Sequence, residues 1–431
     1  MDVQPMQMNN LRQVAKSQTL LLNEQSRNIE VSGREIFKFG FGQSPFPPLP
    51  AAVDALRVHA AAKDYTPVQG LLDLRARVAA FHVDAFGLRA RAEQVLVAPG
   101  SKILLYTVMA AFERADVLIP APAWVSYAPQ AKLLGHTPIR VATSFEQRWR
   151  ATPEAIADAL RRKSDAGVPS LLVLNHPGNP DGLSYTSSEL EAIARVCNRH
   201  EVLVISDEIY GLLDHRGEHV SLAAYYPERT IVTGGLSKWC GAGGWRLGVA
   251  VLPHELLGDF SETLVGIASE TYSCAPLPVQ MAACEAYQWN SATRDYLAHQ
   301  RRVLDHIGQI TARQLIKAGV NLHLPTGGFY LFPDFTPFAD RLHRAGIHSS
   351  QALCERLLAD TGVALLPGDA FGMAPDHLCA RLAYVEFDGA HALAVSRELR
   401  LDRPFDDAAS HVLFAKTVRG TLRLTQWLAT L

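Results

Sequence analysis

Apolar and polar positions follow two different periods along this chain, and the changes of period mark its elements. Residues 1–35 are polar and weakly patterned, which predicts an arm or helical lead-in. In FKFGFGQSPFPPLP, residues 37–50, Gly40, Gly42 and four prolines exclude regular structure and predict a rigid loop with exposed backbone amides. Ala51–Ala62 has a helical composition. Leu71, Leu74, Val78 and Phe81 then recur at helical spacing, behind a turn at residues 64–70. From about residue 94 short continuous apolar runs take over: Gln94–Ala98, Val117–Pro120, Ser170–Leu174, Val202–Ser206, Thr230–Thr233 and Leu247–Leu252. Helical stretches separate them. One opens with the capping-box spacing Thr186 to Glu189 and carries the stripe Leu190, Ile193, Ala194 and Cys197. Buried strands alternating with helices predict an α/β domain whose mostly parallel sheet is covered on both faces.

The pattern changes again after about residue 290. A long helix over 292–318, a strand at Asn321–Leu324, the segment 326–332, helices over 351–361 and 409–429 and a strand at Leu382–Phe387 predict a second, smaller α+β domain. The expected division is 1–55 for the arm and a segment packing with the small domain, 56–290 for the large domain and 291–431 for the small one. Residues 388–408, charged and containing a proline, read equally as a surface loop or an added helix.

Composition removes several function classes. A formal net charge of −2 without a basic patch gives no reason to expect a nucleic-acid partner. No apolar run approaches the length of roughly 18 residues needed to span a membrane, and the N-terminus lacks the apolar core of a secretory signal. The six cysteines are scattered and form no CxxC pair, so a reducing, cytoplasmic setting is expected and no metal site is.

Candidate chemistry concentrates in Thr230–Val249, TIVTGGLSKWCGAGGWRLGV. An apolar strand breaks at Gly234 and Gly235, presents Ser237 and Lys238, and passes through more glycines to Arg246. A lysine delivered among Leu236, Trp239 and Trp245 is a candidate for a desolvated amine, the form that attacks carbonyls. Arg246 is placed to hold an anion. Polar clusters close the other strands too: Gly100-Ser101-Lys102, Trp124, Asn179 to Gly182, and Asp207 to Tyr210. In open α/β sheets ligands sit beyond the carboxyl ends of the strands.

These motifs, in this order, resemble the class I/II aminotransferases of the fold-type-I pyridoxal 5′-phosphate enzymes. The resemblance covers residues 35–385 and rests on NPDG at 179–182, SDEIY at 206–210, SK at 237–238, GWRLG at 244–248, GGFY at 327–330 and Arg381-Leu382, with the Gly42 loop, Tyr65, GSK at 100–102 and Trp124 upstream. It implies an enzyme that moves an amino group from an L-amino acid to a 2-oxo acid by a ping-pong mechanism through Schiff bases. By resemblance Lys238 carries the cofactor and shuttles the proton, Asp207 bonds the pyridine nitrogen, and Tyr210 and Asn179 bond the phenolic oxygen. Gly100, Ser101, Lys102, Ser237 and Arg246 form the phosphate site, and Trp124 stacks on the ring. Arg381 clamps the substrate carboxylate with Asn179 and the backbone of Gly42. Tyr65 reaches the neighbouring subunit's cofactor, which implies a homodimer. Gly235 departs from the pattern, since many members have a phosphate-binding serine there. The same residues also suit β-elimination, or ring-closing elimination as in aminocyclopropane-carboxylate synthase. A regulator fused to a DNA-binding domain is disfavoured, because no winged-helix segment precedes residue 35. For the donor, apolar Phe39, Phe41 and Phe46 and the cation-free segment 266–276 lead to a neutral or aromatic amino acid, with an aspartate-preferring enzyme as the alternative.

Overall fold

Seven strands carry the chain's chemistry to one edge. In the computed structural model, which describes residues 11, 14, 16, 18–31, 33–163, 165 and 167–431, a two-residue strand β1 (Phe37–Lys38) precedes them. The sheet then comprises β2 (Val95–Ala98), β3 (Asp116–Pro120), β4 (Thr137–Val141), β5 (Ser170–Asn175), β6 (Leu203–Asp207), β7 (Thr230–Gly235) and β8 (Gly248–Val251). Their order is β2-β8-β7-β6-β5-β3-β4, and β8 runs antiparallel to both its neighbours. The other pairings are parallel. Strands β5, β6 and β7 are buried almost throughout, because helices lie on both faces. The fold is the expected α/β architecture. Register aligns Asn175 and Asp207, the last residues of β5 and β6, with Thr233 inside β7, so two polar residues emerge together into one cavity.

Strand β4 escapes the sequence pattern. Thr137, Pro138 and Arg140 interrupt its apolar alternation, which an edge strand tolerates because one side has no ladder to complete. The capping box closes as expected: the Thr186 amide donates to Glu189 Oε2 at 2.7 Å and the Glu189 amide to Thr186 Oγ1 at 3.3 Å. Leu190, Ile193, Ala194 and Cys197 are the buried face of the helix that follows.

Beyond the helix Ser291–Lys317 lie β9 (Tyr330–Leu331), β10 (Val363–Ala364), β11 (Leu366–Pro367) and β12 (Ala380–Ala383). The last two form an antiparallel sheet with β9 in the order β11-β12-β9, and β1 pairs with β10 in parallel. Asn321 makes an isolated bridge to Asp334 instead of opening the expected strand. Residues 388–408 supply a helix, Gly389–Leu399, whose first turn is capped by Asp388 accepting from the His391 amide at 3.0 Å. The helix expected over 409–429 is two, Asp407–Leu413 and Ala415–Thr430, broken at Phe414, whose ring packs on Phe387 and Phe405. A helix, Gln18–Val31, occupies much of the expected arm; residues 1–10 lie outside the described residues.

No described helix is long and apolar enough to cross a membrane.

Candidate active site

A cavity of about 510 Å³ opens over the ends of β5, β6 and β7. Its walls include Gly42, Ser101, Lys102, Trp124, Asn179, Asp207, Tyr210, Ser237, Lys238, Arg246 and Arg381. Residues separated by hundreds of positions are thereby brought to one place. Gly100 does not line it, and Tyr65 stands 90% exposed, away from it.

Asp207 ends β6 and is buried. The Tyr127 hydroxyl donates to its Oδ2 at 2.6 Å and the Ile209 amide to its Oδ1 at 3.4 Å, while Asn175 Nδ2 holds its backbone carbonyl at 2.7 Å. Burial pushes its carboxyl up to about 6, against the downward pull of these two donors. Its hydrogen-bond partners are a phenol and an amide, so the carboxylate suits a cationic ring nitrogen. Tyr127 was not among the residues predicted. The only sequence signal was a tyrosine three residues beyond Trp124, whose indole it meets edge-on at 5.3 Å.

Lys238 extends from the loop after β7. Its Nζ donates to the Gly42 carbonyl at 2.8 Å and lies 5.6 Å from the ring centres of both Tyr210 and Phe329. Two aromatic rings and one carbonyl hold the half-buried amine at the cavity wall, within reach of a bound carbonyl compound. The Tyr210 hydroxyl is 2.9 Å from that of Tyr330, a second residue to which sequence reasoning gave no role. Burial, then the neighbouring Tyr330, raises the Tyr210 phenol.

The anion side is built on the helix Ser101–Ala110. Gly100 precedes it at φ 102°, a conformation that favours glycine, and a Cβ there would stand 2.1 Å from an Arg246 guanidinium nitrogen. Glycine thus lets Arg246 lie against a helix N-terminus, where unpaired amides and a fixed positive charge converge. Ser237 also lines the cavity and adds its hydroxyl. At Gly235 a Cβ would stand 2.5 Å from the Leu247 carbonyl oxygen, so a serine cannot be accommodated here. The set comprises amides, a hydroxyl and a guanidinium at one end, a buried carboxylate at the other and an amine between. It fits pyridoxal phosphate.

Arg381 lies on β12 and is 2% exposed. It donates to Asn179 Oδ1 at 2.9 Å and to the Gly40 carbonyl at 2.6 Å, and stacks over Tyr330 and Phe371 at 4.6 and 5.0 Å. Two of its five N–H groups are thereby used to fix the plane of the fork, and the remainder are free for a carboxylate. The loop bearing Asn179 is anchored from beneath, where buried Arg150 pairs with Asp181 and donates to the Leu183 carbonyl at 2.9 Å.

One more cation faces the cavity beside Lys238, Arg246 and Arg381. Lys102 Nζ sits 5.0 Å above the Trp124 ring, and burial, then the Arg246 charge, lowers its pKa. Lys38 is absent from these walls and pairs with Glu30 at 2.5 Å.

Comparison with known proteins agrees with this geometry. Residues 34–386 match the sequence profile of the family described as aminotransferase class I and II. An aspartate aminotransferase of Geobacillus stearothermophilus is 32% identical over 392 residues, covering 88% of this chain and 95% of the relative. An asparagine–oxo-acid transaminase of Streptococcus mutans is 32% identical over 384 residues, covering 86% and 93%. The solved aspartate aminotransferase of Thermus thermophilus with maleate superposes with a TM-score of 0.81 at 24% identity, over 96% of this chain and all of that one.

Proposed function

This chain belongs to the class I and II aminotransferases, and on that premise we propose that its preferred amino donor is aspartate, with Lys102 meeting the distal carboxylate. The enzyme moves an amino group from an amino acid to a 2-oxo acid in two half-reactions at one site. Pyridoxal phosphate, when bound, supplies the carbonyl that takes up the amino group and the ring that takes up electrons.

The chain's own residues divide the remaining work. Asp207, held by Tyr127, keeps the ring nitrogen protonated, and Tyr210 and Asn179 serve the ring oxygen. Trp124 covers the ring face. The amides at Ser101 and Lys102, with Ser237 and Arg246, hold the phosphate, and Gly100 makes room for that guanidinium. Lys238 anchors the cofactor and, once released, moves a proton at the substrate Cα. Arg381, with Asn179 and the Gly42 backbone, clamps the α-carboxylate. The exposed Tyr65 serves the site of a second subunit, so the working form is a homodimer.

The observation that carries the donor assignment is the Lys102 ammonium in the same cavity as Arg381. It favours the aspartate alternative over the neutral or aromatic donor expected from the cation-free segment 266–276. The second cation comes instead from the first turn of a helix assigned only to phosphate binding. The aspartate aminotransferases among the relatives favour the same alternative. A dicarboxylate entering here finds a cation for each carboxylate, whereas an apolar side chain offers Lys102 no partner.

The test compares kcat/KM for aspartate and phenylalanine in the wild type and in Lys102→Met, which keeps the backbone amide and side-chain volume. Loss of one charged contact is expected to cost aspartate about 10- to 100-fold and phenylalanine little. Equal losses for both donors, or a wild type preferring phenylalanine, would defeat the assignment.

A further inference from the structure

Immediately past the ends of β5 and β6 the chain builds a second polar cluster, outside the substrate cavity. Asp207 lines that cavity; the next residue, Glu208, does not, and neither do His176, which follows Asn175, or His219, from the loop after Asp214. His176 is 1% exposed, and the side chains of His219 and Glu208 are 2% and 3% exposed. Glu208 Oε1 accepts from Ser206 Oγ at 2.7 Å and Ser221 Oγ at 2.6 Å, while Oε2 faces His219 Nε2 at 2.9 Å. The two imidazole rings are 4.7 Å apart between centres. One ligand atom from each of the three residues lies within 4.8 Å of the other two.

The cluster is unbalanced as a hydrogen-bond network. Neither ring nitrogen of His176, nor Nδ1 of His219, has a hydrogen-bond partner among the described residues. Buried polar atoms are normally paired, and leaving one unpaired is unfavourable. No ordinary packing role asks for an imidazole at His176: its nearest ring neighbours are Tyr185 and His219, and a phenyl ring would fill that space without orphaned nitrogens.

We propose that His176, Glu208 and His219 bind one late first-row divalent cation, zinc being the natural occupant. Two imidazoles and a carboxylate form a donor set that such ions prefer. The observed N–O separation of 2.9 Å is close to the edge of a tetrahedron with bonds of about 2.0–2.1 Å, so His219 and Glu208 need move only a few tenths of an ångström. His176 turns its free nitrogen inward to complete the face, and water takes the fourth position. Ser206 and Ser221 orient the carboxylate as outer partners. The ion would pin the ends of β5 and β6 to the loop carrying His219. None of the three ligands lines the substrate cavity, so its role is to hold the strand ends that carry Asn175 and Asp207.

The test uses the holoenzyme, stripped with a chelator, equilibrated with zinc chloride without amino acids, and freed of loose metal by gel filtration. About one zinc per chain is expected by elemental analysis, with a higher melting temperature than the stripped protein. His176→Phe and His219→Asn should each lose the retained zinc and the thermal gain while keeping the cofactor's absorbance. Substoichiometric zinc in the wild type, or full retention in both variants, overturns the proposal. If a variant does not fold, anomalous diffraction at the zinc edge from wild-type crystals decides. A peak among the three side chains supports the site; a peak elsewhere, or none, refutes it.

Discussion

At Asp207 the demands of function and of stability oppose each other. A carboxylate under the cofactor ring must be dry to be strong, and dryness is what lifts its pKa from 3.8 to about 6. In the unfolded chain the group releases its proton near 3.8, whereas in the cofactor-free fold it keeps it until about 6. Its contribution is therefore fully present below 3.8 and is lost as pH rises through that window. A shift of about two units corresponds to about 3 kcal/mol above pH 6. Asp207→Asn keeps the acceptor for Tyr127 and carries no charge. The cofactor-free variant should melt higher than the cofactor-free wild type at pH 8, and the difference should vanish by about pH 4. Thermal unfolding across that range checks it, and a pH-independent difference would point to packing instead. Turnover of the variant should fall by orders of magnitude, because a neutral amide cannot keep the ring nitrogen protonated.

Strand β7 and its antiparallel partner β8 show how an element's ending fixes a site. Gly235 pairs with Gly248, and at φ 153° its Cα faces the Leu247 carbonyl closely enough to exclude any side chain. That approach lets the chain turn at once and deliver Ser237 and Lys238 into the cavity. It also accounts for the absence of the serine that the family resemblance led one to expect here: its side chain would collide with the next strand. Gly235→Ser should therefore not strengthen cofactor binding. It is expected to destabilise the fold by about 2–4 kcal/mol from strain and overpacking together. Calorimetry with cofactor titration checks both halves, and a variant of unchanged melting temperature with tighter cofactor binding would contradict the reading.

At the scale of the whole molecule, the role proposed for the exposed Tyr65 can be tested between two chains. If Tyr65 serves the neighbouring site, Tyr65→Ala and Lys238→Ala are each defective, but a mixed dimer holds one site with Lys238 from one chain and the partner's Tyr65 intact. Unfolding and refolding an equal mixture should restore about a quarter of wild-type activity, the statistical share of repaired sites in a two-fold dimer. No recovery, with mixed dimers demonstrated by mass, would place Tyr65 outside the shared site. Much of this protein was legible beforehand, for a physical reason. Buried strands must be apolar and their ends must turn, so β2, β3, β5, β6, β7 and β8 and the polar residues closing them are written locally, as are the capping box and the Lys238 loop. What is not local was not legible. The edge strand β4 carries no apolar run, and Tyr127 becomes a partner of Asp207 only when two strand ends lie side by side. The Lys102 ammonium enters the substrate cavity only because its helix starts at the cavity wall. His176, Glu208 and His219 follow no metal-ligand spacing in the sequence, and only the parallel register of β5 and β6, with one loop folded back, brings their donor atoms together.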